Sequence, residues 1–307
     1  MDIGQLRDFI AVLDSGSLTK AAASLHVSQP AISQRMAQLE SELGVRLLER
    51  GPRGIEATPA GRELYRDAQQ VVRQFDRLGT GVRAPGGIRG PVAVGLPSTV
   101  AVHLAPALYS WTKRHHPGVH LQLFESMSGY IQELLQRGRM DLAVLYSDDA
   151  SARPTQTPLY AEELYLFGDP GSRLAAASEI AVRDLQEVSI VAPGDRSNLR
   201  ALIDRAFSAH GMTPRIVADV ESLGAMIRIA ESGDACAVLP LSSLGHRFAG
   251  TAEVRRIVEP VLERYVAVCA AAEFYEPRAA VDAVRRGIVE VTRSLAEKGD
   301  WQGIRLI

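Results

Sequence analysis

The sequence predicts two folded parts and a connector. Residues 1–58 read as a winged helix-turn-helix domain, all α with a small β wing. Residues 59–90 read as a long linker helix and hinge, and residues 91–307 as a two-lobed α/β domain. Three observations carry this. A short Ala-rich helix is followed by a tight turn and a capped helix with one apolar stripe. Two short strand-like runs flank a Gly-Pro-Arg-Gly turn. After Pro91, short apolar strands alternate with helical stretches to the end of the chain.

In the first part, Leu6, Phe9, Ile10 and Leu13 recur on one helical face, and Gly16 ends it. Ser17 caps LTKAAASLHV, with Leu18, Ala21, Ala22 and Leu25 inward. HVSQ then turns the chain into SQPAISQRMAQLESELG, residues 28–44. Ser28 is an N-cap, Pro30 falls in the first turn where its missing N–H costs nothing, and Gly44 supplies the stop. Ile32, Met36, Leu39 and Leu43 form the apolar stripe. The opposite face holds Pro30, Ser33, Gln34, Ala37 and Gln38, with Arg35 on its flank and no acid before Glu40. A solvated face usually mixes Glu and Lys, so this one suits a polar, negative surface; a plain surface helix is the alternative.

RLLER-GPRG-IEAT is a small hairpin that can act as a wing, with Arg53 at its tip. Thr58-Pro59 is an N-cap followed by an N1 proline, so a helix starts there. Along it Leu64, Ala68, Val71, Phe75 and Leu78 are spaced four, three, four and three, an a/d seam at heptad spacing. Such a seam either docks on its own domain or meets a second copy. The Arg, Gln and Asp around it favour a dimer contact. Residues 79–91, GTGVRAPGGIRGP, are a Gly/Pro-rich hinge that lacks the Gly-Lys-Ser/Thr of a nucleotide loop.

From Pro91 onward, PVAVGLP, VHLQLFES, MDLAVLY, SIVAP, RIVADVES, ACAVLP and YVAVCAAA read as strands of a mostly parallel sheet. The first half reads as three strand–helix steps. YAEELYLFGDP then crosses to a second lobe and ERYVAVCAAAEFY crosses back. This gives a first lobe of about 91–161 and 267–307, a second of about 162–266, and a cleft between them.

Composition narrows the function. The 307 residues are 46% hydrophobic and 23% charged, with net charge -2, the range of ordinary globular chains. Residues 1–58 hold Lys20 and five arginines against seven acids, net -1, so pattern rather than charge must carry any case for nucleic acid. Residues 59–90 hold six arginines against three acids, net +3. Cys236 and Cys269, both in apolar runs, read as buried inert thiols. MDIGQLRDFIAVLDSGS has acids where a signal peptide carries its basic region, and no apolar run reaches 18 residues. A cytoplasmic protein without membrane contact is expected. The adjacent His115 and His116 point apart on a helix, so charge at a helix end is favoured over metal binding. No GxSxG, His-Glu-x-x-His or EF-hand loop is present, so neither an enzyme nor a cofactor is expected.

LRDFIAVLDSGSLTKAAASLHVSQPAISQRMAQLESELGVRLLER, then TPAGRELY, then the bilobal domain resemble the LysR-type transcriptional regulators over essentially the whole chain. GLPSTVAVHLAPAL, ESMSGYIQELLQRGRMDLAVLY and VESLGAMIRIAESGDACAVLP look closest to the nitrogen-assimilation-control and tricarballylate-utilisation branch. The resemblance implies a C-terminal domain of the type II periplasmic-binding-protein kind. It also implies that the helix over residues 28–43 enters the DNA major groove. Gln29, Pro30, Ser33 and Gln34 are then the base readers, and Ser28, Arg35 and Lys20 hold phosphates. Arg53 suits a narrow minor groove; Pro52 stands beside it where family members often carry further basic residues, which weakens that contact. The implied partners are promoter DNA, RNA polymerase, a small-molecule effector and further copies of the chain, as homodimer or homotetramer.

Three strand-to-helix turns carry small polar groups: Ser98-Thr99, Ser126 with Ser128, and Arg196-Ser197-Asn198. If the lobes face each other as in the family, these turns converge on the cleft, with Tyr146 and Ser222 beside them. Each alone can be an N-cap. Their coincidence with Arg196 points to a small carboxylate effector. The alternatives are an effector-independent regulator, a cytoplasmic solute-binding module with a vestigial DNA-binding domain, and an α/β enzyme with an accessory helical domain.

Overall fold

The computed structural model describes residues 1–51, 54–77, 87–147, 151, 155–169, 178–244, 253–271 and 278–307. Met1–Gly86 with Arg137–Arg139 make up one compact unit, and Gly87–Gln136 with Met140–Ile307 the other.

In the first unit α1 (Ile3–Ser15) opens on a capping box. Gln5 N–H donates to Asp2 Oδ1 and Asp2 N–H to Gln5 Oε1, both at 2.8 Å, and Gly16 ends the helix left-handed at φ 62°. Ser17 caps α2 (Leu18–Ser24), and Ser28 caps α3 (Gln29–Leu43), which stops at Gly44, φ 69°. Phe9, Val12, Ala21, Ala22, Ile32, Met36, Leu39 and Leu47 form one buried core beneath α3. Side chains the size of Phe9, Ile32 and Leu39 contribute about 1.5–3 kcal/mol each when fully buried. The wing is the antiparallel pair β1 (Leu48–Gly51) and β2 (Gly54–Ala57). It is pinned to the α1–α2 turn by Ile55 N–H donating to Gly16 O at 2.8 Å. Arg53, expected at its tip, lies outside the described residues.

Thr58 Oγ1 accepts from Gly61 N–H at 3.0 Å to start α4 (Pro59–Arg77). The heptad seam divides along this helix. Leu64 packs on the core of the first unit and Ala68 is 1% exposed, because the first turns of α4 lie against α1, where the Tyr65 hydroxyl also donates to Asp14. Those two positions pack within their own unit. Val71 and Phe75 are about half exposed, with the Arg7 guanidinium 5.7 Å from the Phe75 ring centre. Leu78 lies outside the described residues.

The second unit begins with β3 (Arg89–Pro97), α5 (Ser98–His115), β4 (Gly118–Ser126), α6 (Ser128–Gln136) and β5 (Leu142–Ser147). Among the described residues these are two strand–helix steps, not three, and β5 is followed in the chain by β6 (Gln156–Phe167). Then come β7 (Glu179–Ala181), β8 (Ile190–Ala192), α7 (Asn198–Ser208), β9 (Ile216–Asp219), α8 (Leu223–Ser232) and β10 (Cys236–Pro240). The chain closes with β11 (Val254–Val258), β12 (Glu263–Ala270), α9 (Ala279–Lys298) and β13 (Ile304–Leu306).

One strand belongs to both lobes. Gln156–Glu163 of β6 pairs antiparallel with β12, which pairs with β5, and parallel pairings continue to β3 and β4. From Leu164 on, β6 pairs with β10 and β11, and parallel pairings lead from β10 to β8 and β9. Tyr160 and Val266 sit in the core of the first lobe, whereas Leu164 and Leu262 sit in that of the second. The crossings therefore fall at 163–164 and 262–264. The second comes earlier than the strand pattern suggested, because β12 pairs with β5 from Tyr265 onward. Among the described residues no helix is long and apolar enough to cross a membrane.

Candidate functional site

Burying Ile32, Met36 and Leu39 turns the other side of α3 outward. Ser28, Gln29, Pro30, Ser33, Gln34, Ala37 and Gln38 are all exposed, and so is Lys20 in the first turn of α2. Glu40, the first acid of the helix, is drawn inward: its Oε1 accepts from the N–H groups of Leu47 and Leu48 at 2.7 and 3.0 Å, fixing the start of the wing. The exposed face is thereby left without a carboxylate through its N-terminal turns.

Arg35, expected at a phosphate, meets Asp8 instead. Its NH1 donates to Asp8 Oδ2 at 2.9 Å, and Asp8 is 5% exposed on α1. The hydrogen bond to Asp8, then its charge, raises the Arg35 guanidinium above its ordinary pKa. Sequence spacing shows no such partner, since the two are 27 positions apart. In this geometry Arg35 orients α3 on α1.

Between the lobes of the second unit lies a cavity of about 40 Å³, enough for a few waters or a small polar group. Pro97, Ser98, Thr99, Ser126, Met127, Ser128 and Tyr146 line it from the first lobe. Pro193, Ser197, Leu199, Leu223, Met226 and Leu239 line it from the second, and Arg264 from the crossing strand. The N-termini of α5, α6 and α7 thus converge there. At α5 and α7 no side chain caps the first turn, so the Ser197 hydroxyl remains available while the residue itself is 7% exposed.

Ser98, Thr99, Ser128, Tyr146 and Ser197, all singled out from the sequence, come together here. Three others do not. Ser222 is exposed and caps its own helix, accepting from Ala225 N–H at 3.3 Å. Arg196 is exposed; what it brings to the closing of the lobes is its carbonyl, against which Gly129 packs so closely that a Cβ would stand 2.7 Å away. Asn198 lines a separate outer cavity of about 350 Å³ with Ser147, Leu202, Arg205, Glu263 and Arg264.

The residue that the sequence reading missed is Arg264. It is 3% exposed, and its Nε donates to Glu162 Oε1 at 2.7 Å. Its guanidinium carbon lies 3.7 Å from the centre of the Tyr146 ring, and the Tyr146 hydroxyl is 2.6 Å from Thr99 Oγ1. Burial pushes the Tyr146 phenol up, partly opposed by Arg264. A signal existed in the sequence: Arg264 shares the inward phase of Val266 and Val268 on its strand, and Glu162 that of Tyr160 and Leu164. Among the described residues no group of three His, Cys, Asp or Glu is placed to hold a metal.

Residues 3–62 match the model of the bacterial regulatory helix-turn-helix protein, lysR family, and residues 85–291 that of the LysR substrate binding domain. The nitrogen assimilation regulatory protein nac of Klebsiella aerogenes is 34% identical over 245 residues, 79% of each chain. That of Escherichia coli K12 is 32% identical over the same length and shares. Among solved structures, full-length CbnR complexed with its target DNA matches at TM-score 0.64 and 27% identity, covering 96% of this chain and 99% of that one. A full-length OxyR variant from Pseudomonas aeruginosa matches at TM-score 0.66 and 25% identity, covering 95% of each.

Proposed function

Because the chain belongs to the LysR family of bacterial regulators, with both its helix-turn-helix and its substrate-binding domains, we propose that it is a sequence-specific promoter-binding protein modulated by a small carboxylate held between its lobes. It is a transcriptional regulator rather than an enzyme. The observation that carries the DNA reading is the exposed N-terminal face of α3, free of acids. Gln29, Pro30, Ser33 and Gln34 stand at base edges, where a bidentate Gln–adenine pair discriminates by about 1–3 kcal/mol. Lys20 and Ser28 hold phosphates, Arg53 serves the minor groove, and Arg35 keeps α3 in register on α1.

In the cleft, the hydroxyls of Ser98, Thr99, Ser128 and Ser197 and the free N–H groups of three helix starts favour an anionic head. Leu199, Leu223, Met226 and Leu239 cover an apolar remainder. The ligand acts by binding two lobe arrangements unequally, which alters how paired DNA-binding units sit on the promoter. Pairing uses Val71 and Phe75 of α4, giving a homodimer or homotetramer that recruits or blocks RNA polymerase in the cytoplasm.

Fluorescence anisotropy on the DNA upstream of its own gene, at two salt concentrations and against a random duplex, tests this. Tight, salt-sensitive binding that prefers the upstream DNA is expected. Gln34→Ala should relax the preference, and Arg53→Ala should weaken all duplexes together. Equal affinity for both duplexes, unrescued by a carboxylate panel, would favour a solute-binding module instead.

A further inference from the structure

Arg264 is the one charged side chain that lines the cleft cavity among the described residues. It stands on β12 directly opposite Glu162 on β6, the two strands that cross between the lobes. Its NH2 reaches both the Glu162 carboxylate and, at 3.3 Å, Thr99 Oγ1. Glu162 is 2% exposed and lines neither cavity, so its carboxylate backs the guanidinium from outside the cleft.

This arrangement sets the charge that a ligand meets. A carboxylate entering the cavity is attracted by Arg264 and repelled by Glu162 behind it, and with little water between them neither effect is screened. The hydroxyls around the cavity serve an acid and its amide alike, since both present a carbonyl oxygen. Discrimination between the two falls to the guanidinium.

We infer that Arg264 is the residue that selects the charge of the effector, and that Glu162 sets how strongly it does so. The inference rests on the cleft reading above. In the wild type the carboxylate preference is modest, because one guanidinium serves two acids. Neutralising Glu162 while keeping its shape hands the whole charge to the ligand. Neutralising both partners removes the preference and leaves the shape of the cavity.

The test uses the full-length protein and isothermal titration with acetate, propionate, butyrate and succinate, each beside its amide. Three main forms are compared, wild type, Glu162→Gln and the paired Glu162→Gln/Arg264→Gln, with Ser98→Ala and Arg264→Lys as controls. The pair avoids leaving a buried charge without a partner, and thermal melts confirm that each form is folded. Glu162→Gln should bind the acids at least about tenfold more tightly with the amides unchanged, and the pair should bind acid and amide alike. If all three bind the acids equally while Ser98→Ala weakens them, the cleft stands and the role of Arg264 is refuted. If no acid or amide binds the wild type, the cleft reading and the inference fall together. If Arg264→Lys on the wild-type background keeps the acid preference, charge rather than the guanidinium fork is the selecting feature, and the inference holds in that form.

Discussion

Replacing Gly287 by Ala tests how the helix that opens the cleft is held. Gly287 lies in the middle of α9, and a Cβ there would stand 2.4, 2.6 and 2.9 Å from Cζ3, Cε3 and Cη2 of Trp111 on α5. Carbon atoms in ordinary contact sit about 3.5–4 Å apart, so the ring must retreat by roughly 1 Å. It has little freedom to do so: Trp111 is 7% exposed and stacks on His115 with centroids 4.7 Å apart. Overpacking of this kind costs about 1–3 kcal/mol, and the gain from removing a mid-helix glycine offsets up to about 1 kcal/mol of it. A net loss of about 1–2 kcal/mol corresponds to a fall of roughly 2–8 °C in Tm for a unit of this size. The assay is thermal denaturation followed by circular dichroism and by tryptophan emission. The chain has two tryptophans, so a Trp301→Phe background isolates Trp111. Adding Trp111→Phe should recover part of the loss by removing the atoms that clash. Because α5 carries Ser98 and Thr99 at its start, carboxylate binding should weaken in parallel. An unchanged Tm together with an unchanged Trp111 emission would refute the close-approach argument.

Arg35→Ala should lower Tm, and adding Asp8→Asn should restore part of it, since the orphaned carboxylate is then gone. The salt dependence of DNA affinity should not change; a slope reduced by about one with Tm intact would return Arg35 to the phosphates. Burial pushes the Cys236 thiol up to about 11, and Cys269 is also buried. At pH 8 only about one Cys236 in a thousand is thiolate, so a thiol-reactive chromophore should find both cysteines only after denaturation, and peroxide should leave promoter binding unchanged. Rapid reaction of a native thiol would contradict this. The bidentate hydrogen bonds from Arg256 hold the Glu163 carboxyl below its usual value. Its contribution is therefore complete above the ordinary carboxylate pKa of 4.5 and is lost as pH falls through the depressed one. Urea midpoints of Glu163→Gln should decline less between pH 6 and 3.5 than those of the wild type; parallel declines would exclude the pair as a source of acid lability.

What the sequence shows by itself is local. The caps at Ser17 and Ser28, the stops at Gly16 and Gly44, and the stripe of Ile32, Met36 and Leu39 are matters of nearest neighbours, and they place α2 and α3. Periodicity is blind to what covers a stripe, which is why Leu64 and Ala68 share a seam with Val71 and Phe75 in sequence but not in space. A partner 27 positions away hid the engagement of Arg35. In the second unit the serines at strand–helix turns all looked alike; only the geometry separates Ser197, left uncapped in the cavity, from Ser222, which closes its own helix. The turn pattern places the cationic group beside those serines, at Arg196. It lies instead on a crossing strand, where a charged residue in the inward phase breaks the apolar alternation that marks a buried strand face.

The continuous β6 bears on how such proteins can be recombined. At about 3.3 Å per residue its 12 residues run some 40 Å, and its two ends are built into different cores. A chimera that exchanges the second lobe at 163–164 divides one ladder between two parents, leaving Tyr160 and Leu164 to be fitted by sequences that never met. Grafts that carry 156–167 and 263–270 as a unit keep the β6–β12 ladder whole, including Glu162 with Arg264. The transferable module for changing ligand response in this chain is therefore the pair of strands together with the second lobe, rather than the lobe alone.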